Sequence, residues 1–195
     1  GQWSRVEEIS EYVLDKDPQN RWALAGAAQA SMMLGRPEGA LEPARRLLEI
    51  SPESEQAIAL MARAESASGH PREALDILSR GEEKLPGSEL LAYLRLVAAF
   101  ENAVPGACEE RVPDAASRFP ESRAVLVMRA RCEARAGKAE AALATIEEAA
   151  RRGFDQLAGL RREPDFAAVV RLPGFARLEA EAARAGGPAG ERARN

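Results

Sequence analysis

Few residues of this 195-residue sequence have side chains that could carry out chemistry. His70 is the single histidine, and it lies in "SGHPRE", a turn between two predicted helices. There we interpret it as a solvent-exposed turn residue and not as a general base. Since the sequence offers no second histidine, no nucleophile motif and no ligand cluster, we predict no catalytic residue, no metal site, no cofactor and no enzymatic activity.

The cysteines and the paired acids are the other chemical candidates. Cys108 and Cys132 are too few for a disulfide framework, and we interpret both as small buried residues. The sequence leaves open whether a single bridge joins them. Acidic pairs such as Glu82–Glu83 and Glu147–Glu148 lie on predicted helices, where neighbours point about 100° apart. These pairs therefore indicate solvated helix faces rather than convergent carboxylates.

Composition and charge limit the class of protein. Hydrophobic residues make up 46% and charged residues 30%, as in a folded protein, and Ala, Leu, Glu and Arg dominate, as in a helical one. Residues 1–149 carry 18 basic and 25 acidic side chains, which argues against nucleic-acid binding, while residues 150–195 carry 9 basic and 6 acidic ones. No apolar run approaches the roughly 20 residues that span a bilayer, so we predict no membrane insertion.

The compartment is not determined by the sequence. Because the chain does not begin with Met, we expect a fragment or a processed chain. A cytoplasmic location is favoured, and a periplasmic one stays open if a signal or anchor was removed.

The spacing of prolines, glycines and small residues repeats every 34 residues. The four series are Pro18, Pro52, Pro86 and Pro120; Pro37, Pro71 and Pro105; Gly1, Gly35, Gly69 and Gly137; and Ala40, Ala74, Cys108 and Ala142. Ala103 stands where the glycine series skips a member. Because chance does not produce interleaved series with one period, we infer that the chain consists of repeats.

Each repeat is predicted to be a pair of antiparallel helices. Gly35 and Gly69 end an apolar-periodic segment, as glycine does at a helix C-terminus. Pro37 and Pro71 open the next segment, where the lacking N–H costs nothing. The small residues permit a close crossing of the two helices. Two further prolines lie inside second helices and are expected to kink them: Pro43 and Pro113.

With this period the sequence resembles the tetratricopeptide repeat family, whose glycine, small residue and closing proline match three of the four series. The resemblance implies an all-α fold, a right-handed superhelix (α-solenoid) of antiparallel helix pairs. Arg95 departs from the family pattern, because it stands where a core leucine is usual. We therefore expect the third repeat to be distorted or slightly shifted.

We predict four complete repeats, at residues 21–54, 55–88, 89–122 and 123–156. Residues 1–20 match only the second half of a repeat, and we interpret them as a truncated one. Residues 157–185, with "EPDF" and "LPGF", resemble the ending of many bacterial tetratricopeptide proteins and are predicted to cap the array with apolar side chains. Residues 186–195 are predicted to be a flexible tail.

The resemblance also implies a concave surface lined by the first helices. Carried over to this sequence, that surface consists of Trp22, Gln29, Met32, Met33, Leu60, Arg63, Tyr93, Leu94, Val97, Phe100, Val127, Met128 and Arg131. It is mostly apolar, which suits a helix or an extended peptide with apolar anchors. Leu60 and Leu94 stand where the family's chaperone-tail clamp has polar residues, which argues against that partner. A core role for some of these residues stays open, above all in the third repeat.

The sequence therefore predicts a non-catalytic scaffold that binds another protein in this groove. Two alternatives remain open. The chain is a recruiting or regulatory arm of a larger transferase or kinase, or it is a self-association module that uses the exposed half repeat at residues 1–20.

Overall fold

A computed structural model describes residues 1–101 and 107–186 of the chain. The regular elements in these ranges are all helical, which confirms the all-α fold. Ala103, Pro105 and the predicted tail after Gly186 lie outside the described residues. Two short 3-10 helices, Pro164–Phe166 and Val169–Arg171, accompany the α-helices, which are α1 (Gln2–Lys16), α2 (Arg21–Met33), α3 (Glu38–Ile50), α4 (Glu55–Ala67), α5 (Pro71–Lys84), α6 (Glu89–Glu101), α7 (Ala107–Arg118), α8 (Arg123–Arg135), α9 (Ala139–Arg151), α10 (Leu157–Leu160) and α11 (Pro173–Gly186).

The chain divides into two compact units, Gly1–Val104 and Pro105–Asn195, which we call the N-terminal and the C-terminal unit. Within each unit consecutive helices pack against one another, α1 to α6 in the first and α7 to α9 in the second. The division falls inside the third predicted repeat, 89–122. Each of the four predicted repeat ranges contains one pair of helices, from α2 and α3 to α8 and α9. On this ground we propose that the predicted repeat boundaries are correct.

The same turn precedes each of the helices α2, α4, α6 and α8. Its backbone N–H bonds to the carbonyl three residues earlier, and proline is its second residue. The fourth residue of the turn then caps the helix, because its side-chain oxygen accepts the N–H three residues on, at 3.0 to 3.3 Å. These capping residues, which we did not predict, form one more series with the 34-residue spacing: Asn20, Ser54, Ser88 and Ser122.

A glycine in the left-handed conformation follows the first helix of a pair. Gly35 has a φ of 73°, and the next N–H, of Arg36, bonds to the carbonyl of Ser31 at 2.9 Å. Gly69 and Gly137 repeat this arrangement after α4 and α8. Glycine adopts such a φ without a steric penalty, so these residues set the turn. A further copy of the motif, at Gly153, ends the second helix α9.

Small residues lie where the helices approach most closely. Ala40, Ala74 and Ala142 are fully buried. At Gly81 on α5 an added Cβ would lie 2.6 Å from Cγ2 of Ile58 on α4, closer than two carbons can approach. Large apolar side chains fill the remaining space of the N-terminal unit, among them Leu24, Leu47, Ile58, Leu78 and Leu91.

Arg95 does not interrupt the third repeat's first helix. Helix α6 is continuous, and Nη1 of Arg95 lies 3.3 Å from Oε2 of Glu82 on α5. Glu82 is buried, so its carboxylate is held away from water and is stabilised by the nearby cation. The distortion that we expected from Arg95 is therefore not seen in α6. The interior prolines Pro43 and Pro113 lie inside α3 and α7, as predicted.

The segment after α9 departs from the repeat and packs on the C-terminal unit. Its apolar side chains share a core with α8 and α9, and Phe166 and Phe175 are fully buried. Arg131 on α8 donates to the carboxylates of Glu163 and Asp165. Arg161, in the turn after α10, donates hydrogen bonds to the carboxylate of Glu179 on α11 and so links the two elements. These bonds raise the pKa of Arg161. We propose that this segment caps the array.

A disulfide joins α7 to α8. It links Cys108 to Cys132, whose Cα atoms are 5.9 Å apart, and both residues are buried, in line with the sequence interpretation. The bridge that the sequence left open is thus present in the structure.

Candidate functional site

A cavity of about 710 Å3 lies in the N-terminal unit, with walls from α2, α4, α5 and α6. We call it the N-terminal groove. Its lining residues are Met32, Met33, Ala62, Arg63, Ser66, Ala67, Gly69, Pro71, Leu78, Tyr93, Leu94, Val97, Ala98 and Glu101. Three of the lining helices begin at the same kind of cap, so residues 34 apart, such as Met33 and Ala67, recur in the lining.

The groove is an apolar strip with a polar edge. Tyr93, Leu94 and Val97 on α6 are half-buried, and Met33 at the end of α2 is 52% exposed. The hydroxyl of Ser66 donates to Oε2 of Glu101 at 2.5 Å. Such a surface accepts apolar side chains, and methionine adapts its shape to them.

Arg63 is the cation of the groove. Its side chain is exposed on α4 and has no ion-pair partner among the residues that the structure describes. It is therefore available to a carboxylate of a bound molecule.

Six of the predicted surface residues meet in this groove: Met32, Met33, Arg63, Tyr93, Leu94 and Val97. Leu60 and Phe100 are buried, at 5% and 8% exposure, and contribute to packing instead. Trp22 is 81% exposed and lines a separate cavity of about 150 Å3 together with Ala25 and Gln56. Gln29 is half-buried on α2.

The remaining predicted residues lie in the C-terminal unit. Met128 is buried at 4% exposure, Val127 is half-buried, and Arg131 is engaged by Glu163 and Asp165. Arg131 therefore holds the segment after α9, and a role of these three residues in partner binding stays a prediction.

Sequence reasoning missed part of the lining. Ala67 and Glu101 each lie a whole number of repeats from Met33, so the 34-residue period itself was the signal that could have found them. A second cavity was not predicted either. It measures about 770 Å3, lies in the C-terminal unit, and is lined by Phe154, which follows α9, and by residues of α9 and α11 such as Leu178.

Within residues 1–101 and 107–186 there is no group of three or more His, Cys, Asp or Glu side chains that could hold a metal ion. None of the helices in those ranges is both long and apolar enough to cross a membrane.

Residues 35–99 match a family model described as tetratricopeptide repeat. Residues 35–99 are therefore similar to tetratricopeptide repeats. Among curated protein sequences no match was found.

Solved structures share the fold of this chain. A thermophilic TPR protein of Thermus thermophilus, TTC0263, is 20% identical, with a TM-score of 0.68 over 88% of this chain and 92% of that one. PilW, a type IV pilus biogenesis factor, is 18% identical, with a TM-score of 0.71 over 94% and 84%. MamA is 16% identical, with a TM-score of 0.63 over 81% and 86%. At these identities the likeness concerns the fold alone.

Proposed function

We propose that this chain is a scaffold that binds a segment of another protein in the N-terminal groove. The observation that carries the proposal is the apolar strip of Met32, Met33, Tyr93, Leu94 and Val97, contributed by α2 and α6 and bordered by Arg63 of α4. An apolar groove between helices is a common receptor for a peptide or helix with apolar anchors. The family-model match at residues 35–99 and the fold neighbours support a role in protein interaction.

Buried and ion-paired members of the predicted surface are left out of the proposed site. Leu60, Phe100 and Met128 lie in the protein interior, and Arg131 is bound to two carboxylates. The proposed contact residues are therefore the six that line the groove, with Tyr93 as its aromatic anchor.

A matched pair of charge insertions tests the groove. Met33 lies in the groove at 52% exposure, and Ile50 lies on α3 outside it at 37% exposure. Because both side chains are partly in water, Met33→Glu and Ile50→Glu each leave the core intact. Proteins captured by the immobilised chain from source cells are identified by mass spectrometry, and their affinities for the three forms are then measured.

The expected result is a partner that loses about tenfold or more in affinity for Met33→Glu and binds Ile50→Glu as it binds the original chain. Helical circular dichroism should be the same in all three forms. A partner with equal affinity for all three would contradict the groove and would place the contact on another face.

A second candidate is self-association through α1. Ile9 and Tyr12 lie three positions apart on this helix and are 54% and 68% exposed, and neighbouring exposed apolar side chains can form a contact surface. Light scattering over a concentration series should then show a mass above that of the monomer, and Tyr12→Glu should remove the increase. A constant monomer mass would contradict this candidate. The role as an arm of a larger enzyme stays a prediction.

A further inference from the structure

The disulfide stands at a repeat position that is otherwise alanine. Cys108 on α7 corresponds to Ala40, Ala74 and Ala142, which are fully buried without any covalent link. Its partner Cys132 lies on α8, and the two residues are 24 positions apart in the chain. The link therefore closes a loop from α7 through the intervening turn to α8.

Among its described side chains, helix α7 buries few. Besides Cys108, the side chains described on α7 include two buried ones, Val112 and Ala115. Pro113 lies in the helix interior, where it removes a backbone hydrogen bond. The corresponding helix α9 buries four side chains, Ala142, Thr145, Ile146 and Ala149. Among the described side chains, α7 thus buries fewer than α9, and it has a proline in its interior.

We propose that the Cys108–Cys132 disulfide is a redox-dependent tether that keeps α7 docked on α8. With the bond formed, α7 stays packed and bounds a cavity of about 500 Å3 lined by Val112, Pro113, Ser117, Arg129 and Lys138, among others. With the bond reduced, α7 separates from α8 and that surface is lost, while α8 and α9 stay paired through their own core.

The chemistry is thiol–disulfide exchange. On oxidation each cysteine thiol loses one proton and one electron and the bond between the two sulfur atoms forms. Both electrons pass to a disulfide-containing oxidant, which leaves as two thiols. Because Cys108 and Cys132 are 5% and 1% exposed, an attacking thiolate reaches them only when α7 opens. Reduction of the folded chain is therefore coupled to the opening of this helix.

Hydrogen exchange with and without dithiothreitol tests the tether. The expected result is that reduction raises exchange in residues 107–118 by about tenfold or more and leaves residues 139–151 unchanged. The Cys108→Ala/Cys132→Ala variant should show the fast exchange in α7 with or without the reductant. Alanine fits position 108 in the other repeats, so this variant should fold.

Three outcomes would overturn the proposal. The first is equal exchange of α7 in the oxidised and reduced chain. The second is a loss of protection that extends to α9 as well, because the bond would then support the whole unit. The third is the failure of oxidised glutathione to form the bond, read as two alkylatable thiols by mass spectrometry.

Discussion

In the N-terminal unit successive helices are held mainly by small and apolar side chains that recur with the repeat, whereas the C-terminal unit adds a covalent link and a segment that does not repeat. The first unit relies on recurring small residues such as Ala40 and Ala74 and on the shared cores of its helices. The second has a disulfide, the Arg131 ion pairs and a non-repeating segment with two buried phenylalanines. Where the chain departs from the repeat, its contacts are formed by residues that have no equivalent in the other repeats.

The largest expected effect is on the non-repeating segment. Phe166→Ala removes a fully buried ring from the core of the C-terminal unit and should cost about 3–5 kcal/mol of unfolding free energy. Calorimetry should show the C-terminal unit unfolding at a lower temperature, with the transition of the N-terminal unit unchanged. A single unfolding transition that shifts to a lower temperature as a whole would contradict the contrast between the two units, because it would mean that they unfold together.

The next effect concerns close packing in the N-terminal unit. Gly81→Ala places a methyl group 2.6 Å from Ile58 and 3.2 Å from Leu91, which should cost about 1–3 kcal/mol. Gly87→Ala is the matched control, since no atom lies within 4 Å of its added Cβ and its φ is not positive. Urea denaturation should show a lower midpoint for Gly81→Ala alone. Equal midpoints would mean that α5 can move away from α4 freely.

Substitution of Arg131 distinguishes a structural role of this residue from a role in partner binding. Arg131→Gln leaves the carboxylates of Glu163 and Asp165 without this cation and should cost the C-terminal unit about 1–2 kcal/mol. Thermal unfolding measures the loss. Affinity for a partner found by the groove experiment should not change, and a tenfold loss of affinity would return Arg131 to the binding surface.

The smallest effect should be the same in both units. Ser54→Ala and Ser122→Ala each remove a helix cap, at α4 and at α8, and each should cost about 1 kcal/mol. Chemical denaturation of the two variants gives the comparison directly. A loss of stability for only one of the two variants would show that the capping residues do not contribute equally in the two units.

The repeating elements could be predicted from the sequence, because the glycines and prolines that form the turns recur every 34 residues. Gly35, Gly69 and Gly137 mark the turns inside helix pairs, and the prolines mark the turns between them. The capping series that includes Ser54 and Ser88 has the same spacing and was not predicted.

The site was less predictable, because a helix turns about 100° per residue and periodicity does not fix which face is open. Leu60 and Phe100 were assigned to the groove and are buried, while Leu94 and Val97 do line it. The disulfide was not predictable at all. A separation of 24 residues between two cysteines says nothing about the distance between their Cα atoms.

The proline turn and its capping residue also bear on how such a chain can lengthen. A stretch from Ser54 to Gly87 contains one cap, one pair of helices and most of the turn that leads to the next cap, Ser88. Duplicating the corresponding piece of the gene would join Gly87 to a second copy of Ser54, which is again a turn followed by a capping serine. Recombination at this point therefore creates no junction that the protein does not already contain.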